Sequence, residues 1–259
     1  MPNNHEYDLS IVIPCYNEEK VLELTMPPLV ETFQASDVRL QLILVNNGSK
    51  DRTSDVIDRL IARGLPVTKG EVALNRGQGL GFLTGFHLAE GHFVCNLCAD
   101  GQVQPADVLR IYRAAVQAPV PSVAKARRRF RQDSWIRKII SIIYNGMMLI
   151  IFPGIHTLDV NGNPKILPTE SLKQMELSST DWFVEAELML KAREMHLPVI
   201  EVDVPGQLRQ AGRSHVRADA LIEFLKNIAR YRFGGPLSAW RKRWKRQAHT
   251  AETSYTKAS

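Results

Sequence analysis

Hydrophobic positions along this chain follow two rhythms that alternate. Residues 9–13 (LSIVI), closed by Pro14, and residues 40–45 (LQLILV), ending at Asn46, are continuous apolar runs. Runs of that length without polar alternation predict strands buried on both faces. Residues 18–33 carry apolar positions at helical spacing, and residues 55–64 (DVIDRLIARG) read as a helix capped by Thr53 or Ser54 and stopped by Gly64. The alternation continues with a strand at 92–97 (HFVCNL), a helix at 105–116 and a strand at 121–126 (PSVAKA). This order predicts a doubly wound α/β domain with a mostly parallel sheet and flanking helices. Ligands of such sheets sit beyond the carboxyl ends of the strands, so the loops after Ile13, Val45 and Leu97 are expected to share one cleft.

The later chain is less regular. Residues 184–196 carry a helical stripe, residues 199–204 (VIEVDV) alternate like a strand, and residues 218–231 read as a closing helix. Gly234, Gly235 and Pro236 punctuate the sequence, so one domain is expected over 1–235 and a basic tail over 236–259. The apolar stretch 139–152 is shorter than the ~20 residues that span a bilayer and is interrupted by Ser141, Asn145 and Gly146. It reads as a buried helix or as one lying in a membrane interface.

Composition narrows the class. With 44% hydrophobic residues over 259 positions, the chain can bury a full core, which excludes a disordered or fibrous protein. Cysteines 15, 95 and 98 lack the spacing of a zinc ribbon or disulfide framework, and the segment MPNNHEYDLS has no apolar signal core. A reducing cytosol is the expected compartment. The net charge of +6 is concentrated in Lys125, Arg127, Arg128, Arg129, Arg131, Arg137 and Lys138, and again in Arg241, Lys242, Arg243, Lys245 and Arg246 beside Trp240 and Trp244. Such clusters suit phosphates, nucleic acid or an anionic membrane surface, or form a solvated helix face.

Each loop of the expected cleft carries polar side chains. The first, PCYNEEK, offers Asn17, Glu18 and Glu19 to a ligand or to the next helix as caps. The second, NNGSKDRT, has the composition of a tight turn. In the third, Cys98, Asp100 and Gln102 alternate and would present three heteroatoms to one side of an extended segment.

In order, LSIVIPCYNEE, LILVNNGSKDRT, NRGQGLGFLTGFHLAEG, CADGQVQP, VAKARRRF, DVNGNPKIL and VEAELMLKA closely resemble family 2 glycosyltransferases of the GT-A fold. The resemblance is strongest to the polyprenol-phosphate sugar synthases, the dolichol-phosphate mannose synthase branch. It implies transfer of a sugar, with inversion, from a GDP- or UDP-linked donor to a polyprenyl phosphate at the cytosolic membrane face, usually with Mn2+ or Mg2+. A soluble hydroxyl acceptor and a catalytically silent nucleotide-sugar-binding scaffold are the alternatives. Nucleic acid is not an expected partner, since no reading motif accompanies the charge.

By position, the resemblance makes Pro14, Tyr16, Asn17 and Glu18 the first wall of a nucleotide pocket that also includes Asn46, Gly48, Ser49, Asn75, Gly79, Ala99 and Asp100. Asn46 stands where the family usually has an aspartate that reads the base, and Asn47 replaces a second frequent aspartate. An amide can donate as well as accept, which leaves the base open. Cys98 stands at the first aspartate of the Asp-x-Asp motif, Asp100 at the second, and Gln102 at a glutamine that adds an oxygen; these three are the implied metal ligands. A thiol is a poor partner for a hard cation. The metal would then be held by Asp100, Gln102 and diphosphate, or replaced by a softer one, or catalysis would be lost. Arg127, Arg131, Arg137, Arg209 and Ser214 are the implied diphosphate and acceptor contacts, with His215 in place of a commoner lysine. Asp159 is the implied base or acceptor-orienting group beside Asp100 and Arg127, and Glu185 and Glu187 match an acidic pair on a helix.

Overall fold

The apolar runs near the amino terminus form neighbouring strands with almost every residue buried. The computed structural model describes residues 5–129, 135–205 and 219–258. Strand and helix alternate through β1 (Leu9–Cys15), α1 (Leu22–Gln34), β2 (Leu40–Asn47), α2 (Thr53–Ala62), β3 (Val67–Val72), α3 (Gln78–His87), β4 (Phe93–Asn96) and α4 (Pro105–Val116). There follow β5 (Val123–Arg129), α5 (Trp135–Ile151), β6 (Lys165–Pro168), α6 (Thr169–Met175), α7 (Val184–Glu194), β7 (Val199–Pro205), α8 (Asp219–Phe233) and α9 (Pro236–Ala258).

Seven strands make one sheet in the order β3-β2-β1-β4-β6-β5-β7. All neighbours are parallel except β6, which runs antiparallel to both β4 and β5. The sheet is therefore mixed, and its carboxyl edge gathers the ends of β1, β2, β4 and β5 together with the start of β6. Alternate strand residues face opposite layers. Ile11, Ile13, Leu42 and Leu44 pack under α1, α2 and α4, whereas Val12, Ile43 and Val45 pack with Phe82 of α3 and residues of α5, α7, α8 and α9.

Several boundaries differ from the sequence reading. β1 continues through Pro14, which registers with Val45, to Cys15. The helix expected from Glu18 begins at Leu22, because Asn17 has a left-handed φ of 56° and the backbone of Glu18 donates to Thr53 Oγ1 at 2.9 Å. Neither Thr53 nor Ser54 caps α2; the Asp51 carboxylate does so, accepting the Thr53 N–H at 3.0 Å. Strands β3 and β6 and helices α3 and α6 lay outside the pattern reading.

Helix α5 has two faces. Tyr144, Met148 and Phe152, just beyond its end, enter the core, while Ile139, Ile142, Ile143 and Ile150 stand exposed along one stripe. No helix among the described residues is long and apolar enough to cross a membrane. Helix α9, which covers the expected tail, packs onto the core at its start. Its residues Leu237 and Trp240 are buried, Trp240 Nε1 donates to Gln174 O at 3.1 Å, and the Lys191 ammonium lies 5.3 Å from the Trp240 ring centre. We expect Trp240→Ala to lower unfolding stability by about 3–5 kcal/mol in denaturant titration. An unchanged midpoint would make α9 an independent appendage.

Candidate active site

The three loops expected to share a cleft do lie side by side, since β2, β1 and β4 are consecutive parallel strands. Hydrogen bonds bind the first two together. Ser49 Oγ donates to Cys15 O at 3.2 Å and accepts from Asn17 N at 3.1 Å, and Asn17 Oδ1 accepts from Lys50 N at 2.8 Å. Tyr16 is half-buried and Glu18 buried on this wall.

The two asparagines at the end of β2 have different environments. Asn46 Oδ1 accepts from Ser49 N at 3.2 Å and its Nδ2 donates to Glu71 Oε2 at 2.9 Å. A flipped amide would set donor against donor and acceptor against carboxylate, so the network fixes its orientation. Asn47 is buried with Nδ2 donating to Gly77 O at 2.9 Å, and its Oδ1 has no hydrogen-bond partner.

Close backbone approach explains two glycines. Gly48 has a φ of 70°, and a Cβ there would stand 2.5 Å from Asn75 N. A Cβ on Gly79 would stand 2.4 Å from Asp181 O and 2.5 Å from Ser179 O. The first turn of α3 is thus pressed against residues 178–181, with Leu80 N donating to Thr180 O at 2.9 Å. Asn75 Oδ1 accepts from Gly77 N at 2.8 Å and shapes the entry to that helix.

The third loop is a turn and not an extended segment. Gly101 has a φ of 67°, and Asp100 Oδ1 accepts from Gln102 N at 3.1 Å, so strict alternation of Cys98, Asp100 and Gln102 to one side is lost. Ala99 and Asp100 are buried, while Cys98 is half-buried with Sγ 3.6 Å from Gln78 Nε2. Among the described residues no three His, Cys, Asp or Glu side chains are grouped to hold a metal. Magnesium-type sites commonly combine one or two carboxylates with substrate phosphates, and Asp100 with the Gln102 amide fits that limited donor set.

At the end of β5, Arg127 donates to Asp203 and lies 3.7 Å from Glu201, so its guanidinium is already paired. Asp159 is half-buried in the loop before β6. Arg131, Arg209, Ser214 and His215 lie outside the described residues, as does the side chain of Arg137.

The acidic pair of α7 is buried. Glu185 Oε1 accepts from Asn96 Nδ2 at 2.7 Å and Asn163 Nδ2 at 3.0 Å, and its Oε2 pairs with the buried Lys165. Glu187 accepts from Ser178 N, Ser179 N and Lys191 Nζ, at 3.0, 2.7 and 2.6 Å. Burial alone would raise its pKa, but Lys191 and the two N–H groups hold it below the ordinary carboxylate value. Glu71, Gln78, Asn96, Asn163 and Lys165 are polar partners that sequence reasoning did not single out, and Lys125, counted there only in a basic cluster, is fully buried. A lysine inside an apolar strand, as in SVAKA and PKIL, was the available signal.

The sequence model described as Glycosyl transferase family 2 matches residues 10–172. The chain belongs to that family. An undecaprenyl-phosphate 4-deoxy-4-formamido-L-arabinose transferase of Aeromonas hydrophila is 34% identical over 145 residues, covering 55% of this chain and 44% of the relative. The chain thus spans less than half the length of that relative. A dolichyl-phosphate beta-glucosyltransferase ALG5A of Trichomonas vaginalis is 24% identical over 254 residues, covering 92% of this chain and 77% of the relative. Glucosyl-3-phosphoglycerate synthase from Mycobacterium tuberculosis, crystallised with Mn2+, uridine diphosphate and glucosyl-3-phosphoglycerate, superposes with a TM-score of 0.65 at 17% identity. That likeness covers 90% of this chain and 80% of the other, and it shows the GT-A fold.

Because the folded-state pKa of Glu187 is depressed, its contribution to stability is present above the unfolded value of about 4.3 and is lost as pH falls through the folded value. Glu187→Gln is expected to lose about 3–5 kcal/mol at pH 7 and to flatten the acid side of the stability profile. Parallel profiles for both proteins would contradict this.

Proposed function

We propose that the chain transfers a hexose, with inversion, from a nucleotide diphosphate sugar to a polyprenyl phosphate at the cytosolic face of a membrane, as a peripheral protein. The exposed Ile139, Ile142, Ile143 and Ile150 stripe of α5 is the observation that carries the lipid reading. The same helix reaches the acceptor-side loop, since Asn145 Oδ1 accepts from Val160 N at 2.9 Å. An apolar stripe on a helix too short to span fits an interfacial position.

The nucleotide would lie over the ends of β1 and β2, against Pro14, Tyr16, Asn17, Glu18, Gly48, Ser49, Asn75, Gly79 and Ala99. Asn46, half-buried at the end of β2, would meet the base with the amide that Ser49 N and Glu71 hold in one orientation, whereas the unpaired Asn47 carbonyl oxygen is buried within the fold. An amide can donate as well as accept, so UDP- and GDP-linked donors both fit. Asp100 and Gln102 would hold a divalent cation together with the diphosphate, and that cation, when bound, offsets charge on the leaving group. Cys98 would stand beside it as a weaker neighbour.

A phosphate monoester is already anionic near neutral pH, so the chain's task is to position it. Glu185 and Glu187 are engaged as described, and Asp181 accepts from Phe183 N and Asn227 Nδ2. Proton abstraction by these groups is therefore not asked for. Asp159 would orient the acceptor, with Arg131, Arg137, Arg209 and Ser214 gripping phosphate oxygens and Arg127, held by Asp203, offering its remaining N–H groups.

Incubation with radiolabelled UDP- and GDP-hexoses and undecaprenyl or dolichyl phosphate should move label into the organic phase. Label appearing only on soluble hydroxyl acceptors, or nowhere, would overturn the reading. Cys98→Asp should fold normally and tighten manganese binding in the presence of the nucleotide at least ~10-fold, about 1.4 kcal/mol, by calorimetry. An unchanged metal response would show that position 98 does not face the cation.

A further inference from the structure

Two fully buried lysines face each other across β5 and β6, where Lys125 registers with Lys165. Like charges directly opposite one another are unfavourable, and a buried ammonium requires oxygen partners. Lys165 is matched by Glu185. Lys125 instead reaches the loop that carries Asp159. Its Nζ donates to Asp159 O at 2.7 Å, Thr157 Oγ1 at 3.1 Å and Ala126 O at 3.3 Å, and lies 3.7 Å from Glu201 Oε1.

Those oxygens are linked to one another. Thr157 Oγ1 donates to Glu201 Oε1 at 2.6 Å and accepts from Asp159 N at 3.2 Å, and Gly162 N donates to Asp159 O at 2.9 Å. A Cβ on Gly162 would stand 2.7 Å from the ammonium, so the loop wraps it closely. Glu201 also lies 3.7 Å from Arg127 Nη1, so one carboxylate joins Lys125 to the cation on the same strand. An apolar side chain would fill the volume of Lys125 without a desolvation cost, whereas an ammonium gathers these loop oxygens around one point.

We infer that Lys125 is a positioning residue for the acceptor half of the site: it fixes the 157–162 loop and, through Glu201, the Arg127 guanidinium, so that both keep their place around the acceptor phosphate. This rests on the transfer reading given above. Wild type, Lys125→Met and, in case that variant fails to fold, Thr157→Val test it on the full chain. Amide hydrogen exchange should quicken at least ~10-fold over residues 157–162 and stay unchanged over 46–49. The KM for polyprenyl phosphate should rise ~10-fold while that for the nucleotide sugar stays within about twofold. Unchanged protection of the loop, or KM values for donor and acceptor that rise together, would overturn the inference. If wild type glycosylates no polyprenyl phosphate, the transfer reading fails, and an unshifted exchange profile would separately reject the role of Lys125 in holding the loop.

Discussion

Glu185 and Lys165 form a buried ion pair at the meeting point of β4, β6 and α7, and both halves of the cleft are referred to it. Taking two charges out of water is tolerated only when further hydrogen bonds complete their shells, and Asn96 and Asn163 supply these to the carboxylate. Asn96 Oδ1 in turn accepts from Lys165 N at 2.8 Å. The strand end that leads to Cys98 and Asp100 is thereby locked to the loop that leads from Asp159. In the proposed transfer, donor and acceptor need a fixed spacing for in-line chemistry, and this pair would set it from below.

The cleft that results differs in kind from one side to the other. The side formed by β1 and β2 is built from backbone turns and small side chains, where glycines at 48 and 79 admit other backbone within contact distance. The side formed by β5, β6 and β7 is built from balanced charges: Lys125, Arg127 and Lys165 against Glu185, Glu201 and Asp203. Such networks hold a loop in one geometry at the expense of stability that an apolar core would provide. Beyond them, α5 presents its isoleucines outward, the feature on which the proposed interfacial position rests.

Much of the fold was legible because β1, β2 and β4 are short apolar runs bounded by turn residues, each followed by a helix. Strand β3 escaped notice because VTKGEV places Lys69, Gly70 and Glu71 in its middle, and β6 because four residues carry no period. The start of α1 was misjudged since helical spacing cannot reveal that the backbone of Glu18 is held by Thr53. At the site, motif positions identified the three loops, but how the two asparagine amides are held depends on Glu71 and Gly77, partners 25 and 30 residues away. The turn at Gly101 likewise followed from a single side-chain hydrogen bond. Charge clusters pointed to the acceptor side, yet the buried lysines there became visible only once register placed 125 opposite 165.

The account stands on the nucleotide diphosphate occupying the edge formed by β1, β2 and β4. A crystal structure of the chain with uridine or guanosine diphosphate and manganese tests it most directly. The expected base lies between Tyr16 and Asn46, with the diphosphate beside Asp100 and Gln102. A nucleotide seated elsewhere, or one whose base turns away from Asn46 with no cation near Asp100, would contradict it.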